Sequence, residues 1–370
     1  MAITSTSDAQ TLAVKPAKHV KVYYERGRFG GWPANHGIWI WGDEILVGFS
    51  QGYYKDLGPE KHNIDRQRPE HHVFARSLDG GESWKWEDPS TDGVLLPEGT
   101  MLHGTELPDV VKPAWKECPG GIDFLDPDLA MTLRLTSNDN GPSRFFTSLD
   151  RGHHWQGPYR LPNMGTPGIA ARTDMIPLSS RSCLFMLTCA KDNGQEGRPF
   201  CARTDDGGKS FQFVSFIGPE PTGYAIMPAT VALSPSELYT VIRCSDGHKS
   251  WLQAFRSHDT GKTWQPQADH LAETGEGNPA SLIKLRSGKL CLCYGVRVKP
   301  YRICAKISRD AGRTWGLELV LREDGSSRDV GYPRSVQRPD GKVVTTYYFS
   351  DKKTGPERYI AATIWDPEND

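Results

Sequence analysis

The sequence predicts an all-β protein, a six-bladed β-propeller whose blades are four-stranded antiparallel sheets. Two observations lead to this prediction. A turn motif of the form Ser/Thr-x-Asp-x-Gly-x-Ser/Thr-aromatic occurs five times in the 370 residues, and short apolar segments precede every copy. A repeat of about fifty residues that forms one small sheet is typical of propellers, in which each unit packs against its neighbours.

The five copies of the turn motif predict where each blade makes its last turn. They occupy residues 77–84, 148–155, 204–211, 257–264 and 308–315. In such a turn the Asp carboxylate accepts hydrogen bonds from backbone N–H groups, and Gly adopts a positive φ. Each copy follows two apolar strands, a polar loop and a third strand. The motif therefore connects the third strand of a blade to the fourth, which begins at the aromatic residue.

The N-terminal segment is predicted to complete the last blade. Residues 334–365 supply three strands, and the apolar-polar alternation of residues 19–25 supplies the missing fourth. Closing the ring in this way leaves no open sheet edge. We therefore expect a tail at residues 1–18 and a single domain at residues 19–367, with the insertion between Trp84 and Asp126 forming a loop over one face.

Composition excludes several classes of function. The net charge is −1, and the longest apolar runs are far shorter than the ~20 residues of a membrane-spanning helix. We expect no membrane or nucleic-acid partner, and the sequence shows no metal-binding or nucleotide-binding pattern, so no cofactor is predicted. The eight cysteines lie mostly in apolar strands without Cys-x-x-Cys spacing. Reduced cysteines and the absence of a signal-peptide pattern favour a cytoplasmic location; the oligomeric state stays open.

Charged and polar side chains are predicted to converge at one mouth of the propeller. In an antiparallel blade, the start of the first strand and the end of the second lie at the same edge. First strands begin near His36, Arg172, Asp174, Asn278 and Tyr332, and second strands end near Arg134, Arg243 and Arg297. Several guanidinium groups at one mouth predict a pocket for a carboxylate-bearing ligand, since arginine binds a carboxylate through two parallel donors.

Together, the turn motifs and the six-bladed plan resemble the sialidase superfamily of BNR-repeat proteins, in which the motif is called an Asp box. The resemblance covers residues 20–365 and implies a carboxylate-binding arginine triad, a tyrosine nucleophile activated by a glutamate, and an aspartate acid/base. Tyr332 matches the nucleophile and Arg243 the second arginine. Either Arg297 or Arg302 matches the third arginine. Asp65 lies in the loop in which the family carries its acid/base.

Two positions depart from the family pattern. Gly31-Trp32-Pro33 stands where the family has an Arg-x-Pro motif, and Met227 stands where it has the activating glutamate. Glu276 or Asp174 is the candidate to replace that glutamate. We also expect the Tyr332 ring to point into the mouth with a free hydroxyl.

These departures leave three functions open. The first is an enzyme of exo-sialidase type that hydrolyses a terminal acidic sugar from a glycan. The second is a polysaccharide lyase, or another glycosidase acting on rhamnose or uronic-acid linkages, in which His36 and Tyr332 serve as base and acid. The third is a propeller that binds glycans without catalysis. All three predict an acidic glycan as the partner.

Overall fold

A computed structural model of the chain describes residues 11–14, 17–89, 101–102, 105–106 and 114–368. It is an all-β propeller of six blades, which we number one to six in chain order, and this confirms the predicted fold class. Residues Pro33–Asn35 form a single turn of 3₁₀ helix. The described part of the chain accordingly contains no helix long and apolar enough to cross a membrane.

The chain begins with two strands that join the last two blades. They are β1 (Thr11–Ala13) and β2 (Ala17–Tyr23). Blade one then contains β3 (Arg28–Gly31), β4 (Ile38–Trp41), β5 (Glu44–Tyr53), β6 (His71–Ser77) and β7 (Lys85–Glu87). A separate short pair follows, β8 (Met101–Leu102) and β9 (Thr105–Glu106). Blade two contains β10 (Ala130–Leu135), β11 (Ser143–Ser148) and β12 (Gln156–Leu161).

Blades three to six each contain four strands that pair with their neighbours in one antiparallel sheet. Blade three contains β13 (Met175–Pro177), β14 (Cys183–Ala190), β15 (Glu196–Thr204) and β16 (Gln212–Phe216). Blade four contains β17 (Tyr224–Ala232), β18 (Leu238–Ser245), β19 (Ser250–Ser257) and β20 (Gln265–Glu273). Blade five contains β21 (Ala280–Lys284), β22 (Leu290–Val296), β23 (Arg302–Ser308) and β24 (Glu318–Arg322). Blade six contains β25 (Gly331–Gln337), β26 (Val343–Phe349) and β27 (Tyr359–Trp365), and β2 is its fourth strand.

The ring closes through the N-terminal strand, as predicted. Strand β2 pairs antiparallel with β27, with Ala17 opposite Trp365. Within the predicted tail of residues 1–18, β1 adds to the outer edge of blade five in parallel with β24, with Thr11 opposite Glu318. Two terminal strands therefore cover sheet edges that would otherwise be open to pairing. About half of the predicted loop insertion after Trp84 lies outside the described residues.

The Asp boxes have the expected turn chemistry. In blade five, Asp310 accepts hydrogen bonds from the Thr314 backbone N–H at 2.8 Å and from the Thr314 hydroxyl at 2.6 Å. The Ser308 hydroxyl accepts the N–H of Gly312, whose φ is +86°. The aromatic residue of a box then packs between sheets: Trp155 of blade two stacks on Phe74 of blade one, with ring centroids 5.1 Å apart.

Blade two differs from the predicted four strands. Its sheet has three strands, and the position of the innermost strand is taken by turns at residues 122–129. The carboxylate of Asp123 accepts the N–H of Leu125, and that of Asp126 accepts the N–H of Asp128. Such short-range bonds compete with a strand ladder, which explains the irregular backbone.

Candidate functional site

A cavity of about 400 Å³ lies at the predicted mouth of the propeller. Its wall is formed by the 3₁₀ turn, the ends of β5, β10 and β18, and the starts of β6, β15, β17 and β25. These elements come from blades one, two, three, four and six. The starts of first strands and the ends of second strands therefore meet at this cavity, as the antiparallel blade topology predicts. The cavity volume lies within the ~300–1,000 Å³ of small-ligand sites.

One wall of the cavity presents a tyrosine hydroxyl held by an arginine. The Nη1 of Arg243 donates to the Tyr332 hydroxyl at 2.9 Å, and its Nη2 donates to the Tyr224 hydroxyl at 3.0 Å. Tyr332 lines the cavity as expected, but its hydroxyl is not free. A guanidinium at this distance stabilises negative charge on the phenol oxygen, so the pair is suited to acid/base or nucleophilic chemistry.

The backbone at Tyr332 is strained and is held by Asn278. Tyr332 has a φ of +50°, and the ladder between β25 and β26 shifts register between Gly331 and Arg334. The Asn278 Oδ1 accepts the Tyr332 N–H at 2.8 Å. Asn278 is fully buried, so it supports the site from behind instead of facing a ligand.

The opposite wall contains a group that we call the buried polar cluster, consisting of His36, Ser50, Glu70, His72 and Arg134. The His36 Nε2 lies 3.1 Å from the Ser50 hydroxyl, and the two imidazole rings meet edge to face with centroids 4.9 Å apart. Glu70 Oε1 lies 3.9 Å from His72 Nε2. All five residues line the cavity and are less than one-tenth exposed.

Burial shifts the titration of this cluster. Desolvation, followed by the charge of Arg134, holds the pKa of His36 and of His72 well below the usual value, so both rings are neutral at pH 7. Desolvation raises the pKa of Glu70 to about 7, although Ser50 and Arg134 oppose the shift. A carboxyl group that keeps its proton near neutral pH is a candidate general acid.

Arg172, another arginine predicted at the mouth, is charge-compensated. It lines the cavity, but its Nη1 is paired with Glu196, and its Nε donates to Asn35 Oδ1 at 3.1 Å. Its charge is therefore less available to a ligand than those of Arg134 and Arg243.

The structure does not bring the predicted carboxylates to the cavity. Asp65 lies 3.4 Å from Lys55 Nζ and caps the Gln67 N–H. Glu276 is half-exposed and is paired with Arg328. Asp65 thus has a partner on its own loop and Glu276 has one on a distant loop, and neither lines the cavity.

Asp174 is buried and lies outside the cavity wall. Its carboxylate accepts the Thr230 hydroxyl at 2.8 Å, and desolvation raises its pKa to about 7. The adjacent Arg334 donates to the Thr173 carbonyl and to the Ala34 carbonyl. Asp174 is thus a structural group of the inner strands in this arrangement.

The two candidates for the third arginine also lie outside the cavity wall. Arg297 stands behind Tyr332, 5.4 Å from the ring centroid, and donates to the Val330 carbonyl and the Tyr348 hydroxyl. Arg302 begins the third strand of blade five and donates to Glu318 at 3.0 Å. Its position on a third strand, away from the converging edges, explains why it does not reach the mouth.

Glu70, His72 and Tyr224 are cavity residues that the sequence did not single out. Glu70 lies in the same loop as Asp65, five residues later, and it lines the cavity whereas Asp65 does not. Tyr224 follows a glycine at the start of β17, as Tyr332 does at the start of β25. That parallel is the signal by which Tyr224 is recognisable.

Metal chemistry finds no support in the side-chain arrangement. Among the described residues, no three His, Cys, Asp or Glu side chains are placed to hold a metal ion together. All eight cysteines are buried, and none forms a disulfide.

The fold and cavity define a six-bladed propeller with an arginine- and tyrosine-lined mouth. The chain belongs to the BNR repeat-like domain family, which matches residues 130–345. This confirms the predicted membership of the sialidase-like BNR superfamily. The sequence matches no curated protein.

Solved structures share the fold at low sequence identity. A protein of unknown function from Dyadobacter fermentans is 19% identical, with a TM-score of 0.69 over 95% of this chain and 100% of its own. The NanB sialidase from Streptococcus pneumoniae is 12% identical, with a TM-score of 0.57 over 99% and 71%. An alpha-L-arabinanase from Penicillium chrysogenum is 12% identical, with a TM-score of 0.57 over 95% and 98%. At these identities the similarity concerns the fold.

Proposed function

We propose that this protein is an enzyme that processes a glycan and binds a carboxylate-bearing sugar in the cavity. The observation that carries the proposal is the contact between Arg243 and the Tyr332 hydroxyl in the cavity wall. Arg243 is half-buried and lines the cavity beside Tyr332, so its guanidinium is placed to meet an acidic ligand. Neighbours in fold are named as a sialidase and an arabinanase, two kinds of glycoside hydrolase, which is consistent with a sugar substrate.

Hydrolysis of a terminal acidic sugar is the first candidate reaction, as in an exo-sialidase. Tyr332 first gives its phenol proton to a water molecule. Glu70 then donates a proton to the glycosidic oxygen while the Tyr332 phenolate attacks the anomeric carbon, so that the bond to the leaving group breaks and a glycosyl-tyrosine forms. Glu70 then takes a proton from water, which attacks the same carbon and releases Tyr332. Arg243 stabilises the phenolate at both steps.

Elimination is the second candidate, and one observation favours it. The hydrogen-bond partner of the Tyr332 hydroxyl is a guanidinium and not the carboxylate that activates a tyrosine nucleophile. In this reaction neutral His36 removes the proton next to the carboxyl group of a uronic acid, a carbon–carbon double bond forms, and the glycosidic C–O bond breaks. Tyr332 protonates the departing oxygen.

The test is incubation of the protein with sialosides, uronosides and rhamnose–uronate oligosaccharides, followed by mass analysis of the products. Hydrolysis adds one water across the cleaved bond, whereas elimination adds none and produces a chromophore in the ultraviolet. Binding without a product supports a glycan-binding propeller and contradicts an enzyme. Failure to bind any acidic glycan overturns the proposal.

Substitution of Tyr332 connects the activity to this cavity. The Tyr332→Phe variant should lose turnover by ~100-fold or more, as is typical when an acid/base or nucleophilic group is removed. Tyr224→Phe is the matched control, because it removes the other hydroxyl held by Arg243, and it should lower turnover far less. Near-normal turnover in the Tyr332 variant would exclude Tyr332 from catalysis.

A further inference from the structure

Arg134 lines the cavity and has hydrogen-bond donors without a partner in the described residues. It lies at the end of β10, is 3% exposed, and donates from Nη1 to the Asn35 carbonyl at 3.3 Å. Its Nε and Nη2 are buried and have no hydrogen-bond partner among the described residues. An ionised guanidinium in this state is costly, because buried polar groups are normally paired.

The neighbours of Arg134 do not compensate its charge. Burial lowers the pKa of Arg134 to about 9, and the attraction of Glu70 only partly opposes this. Glu70 itself titrates with a pKa of about 7 and is therefore substantially protonated at neutral pH. The remaining members of the buried polar cluster, two neutral histidines and a serine, carry no negative charge.

Arg134 and Arg243 approach the cavity from different blades. Arg134 belongs to blade two and Arg243 to blade four, and blade three lies between them in the ring. Each has its own surroundings: Arg134 is anchored to the 3₁₀ turn, whereas Arg243 holds Tyr332 and Tyr224. The cavity therefore has two cationic points and not one clamp.

We propose that Arg134 binds a second anionic group of the substrate, so that the ligand is a glycan with two negative charges. One is the carboxylate already assigned to the side of Arg243, and the other is a sulfate ester or a second carboxylate on a neighbouring sugar. This inference rests on the proposed function. Both groups present oxygen acceptors that bind a guanidinium at a cavity wall through charge-assisted hydrogen bonds.

The proposal is tested by calorimetric binding to matched oligosaccharides. The reference ligands are sialyllactose and an unsulfated uronic-acid disaccharide, each with one carboxylate. The test ligands are the same sugars with one sulfate ester, varied in position, and the corresponding sugars with a second acidic residue. At least one dianionic ligand should bind about tenfold or more tightly than its monoanionic reference, as expected for a charge-assisted contact. The sulfated and dicarboxylate series show which anion is preferred.

Substitutions assign the preference to Arg134. Arg134→Gln should reduce the ratio of dianion to monoanion affinity to near one, and Arg134→Lys should retain part of it because the charge remains. Arg302→Gln makes the same change at an arginine paired with Glu318 outside the cavity wall, and the ratio should stay as in the unaltered protein. Thermal unfolding of each variant shows whether it is folded.

Two failures are distinguishable. If monoanionic sugars bind but no dianionic ligand binds more tightly, the second anion site is refuted and the proposed function stands. If no acidic sugar binds, both are refuted. A preference that persists unchanged in a folded Arg134→Gln variant also overturns the assignment to Arg134, and measurements on the unaltered protein remain decisive if that variant does not fold.

Discussion

The Asn278 side chain fixes the backbone of Tyr332 through a hydrogen bond of 2.8 Å from the Tyr332 N–H to Oδ1. Its Nδ2 donates to the Val330 carbonyl, also at 2.8 Å, so the amide bridges the residues on both sides of Gly331. Tyr332 has a φ of +50°, a conformation that costs a non-glycine residue about 1–2 kcal/mol. The buried amide therefore offsets backbone strain at the residue proposed to react.

Removal of this bridge should impair both stability and activity. Asn278→Ala leaves the Tyr332 N–H without its acceptor, whereas the Val330 carbonyl keeps the Arg297 donor, and we expect a loss of about 1–3 kcal/mol in the free energy of unfolding, measured with urea. Turnover should also fall, because the Tyr332 ring is no longer held in place. Asn278→Asp keeps the acceptor for the Tyr332 N–H and should recover part of the turnover. Unaltered turnover in the Ala variant would show that Asn278 does not position Tyr332.

The Asp boxes should make stability sensitive to acid. Hydrogen bonds from the hydroxyl and the backbone N–H of Thr314 lower the pKa of Asp310 to about 2, below the ~3.9 of an unfolded aspartate. The contribution of this carboxylate to stability is thus present above pH ~4 and is lost as the pH falls through 2. Asp310→Asn should lower the melting temperature at pH 7, and the difference from the unaltered protein should shrink towards pH 2.

The control for this prediction is Asp192→Asn, at an exposed position outside the Asp boxes. It should leave the melting temperature nearly unchanged across the same pH range. A constant difference between the Asp310 variant and the unaltered protein would mean that ionisation of the box does not contribute to stability.

Most of the fold was predictable because local chemistry repeats. The Asp boxes fix the third turn of five blades, and the closing strand Ala17–Tyr23 follows from the need to pair an edge. The first strand of blade two was not predictable in the same way. There, Asp123 and Asp126 bind backbone amides two residues ahead, and these turns replace the strand that the apolar pattern suggested.

Site residues were predictable where their position along a strand decides whether they reach the cavity. Tyr332, His36, Arg134 and Arg243 reach the cavity because they lie at converging strand ends. Partner choice, in contrast, depends on three-dimensional neighbours that the sequence does not reveal. Glu276 is in a suitable stretch of chain, yet it pairs with an arginine from another blade.

Arg243 should discriminate between an acid and its ester. If its guanidinium binds the substrate carboxylate, Arg243→Gln should weaken binding of an acidic sugar by about tenfold or more, since hydrogen bonds to charged groups contribute about 1.5–3 kcal/mol. Binding of the methyl ester should weaken much less. Arg302→Gln, which makes the same substitution outside the cavity wall, should leave both affinities unchanged. Equal losses of affinity for acid and ester in the Arg243 variant would show that Arg243 does not bind the substrate carboxylate.

Glu70 should set the alkaline limit of activity. Burial raises its pKa to about 7, so its carboxyl group is protonated and able to donate below that pH and loses this ability above it. The pH profile of kcat/KM should therefore fall on the alkaline side with a midpoint near 7. In Glu70→Gln turnover should drop sharply, and the residual activity should not show the alkaline decrease with a midpoint near pH 7.

The same raised pKa has a consequence for stability that does not depend on catalysis. An unfolded glutamate titrates near pH 4.3, so the folded state holds the Glu70 proton over a range in which the unfolded chain has lost it. The stability associated with this proton is fully present below pH ~4.3 and is lost as the pH rises through about 7. His36 and His72, whose pKa values are lowered, act in the opposite direction, favouring the folded state as the pH rises through ~6.5.

Comparison of Glu70→Gln with the unaltered protein isolates the Glu70 contribution, because both proteins retain the histidines. Between pH 5 and 8 the free energy of unfolding of the Gln variant should increase relative to that of the unaltered protein, as measured by urea unfolding at each pH. Parallel curves for the two proteins would show that Glu70 titrates in the folded state as it does in the unfolded chain, and would remove it as the proton donor.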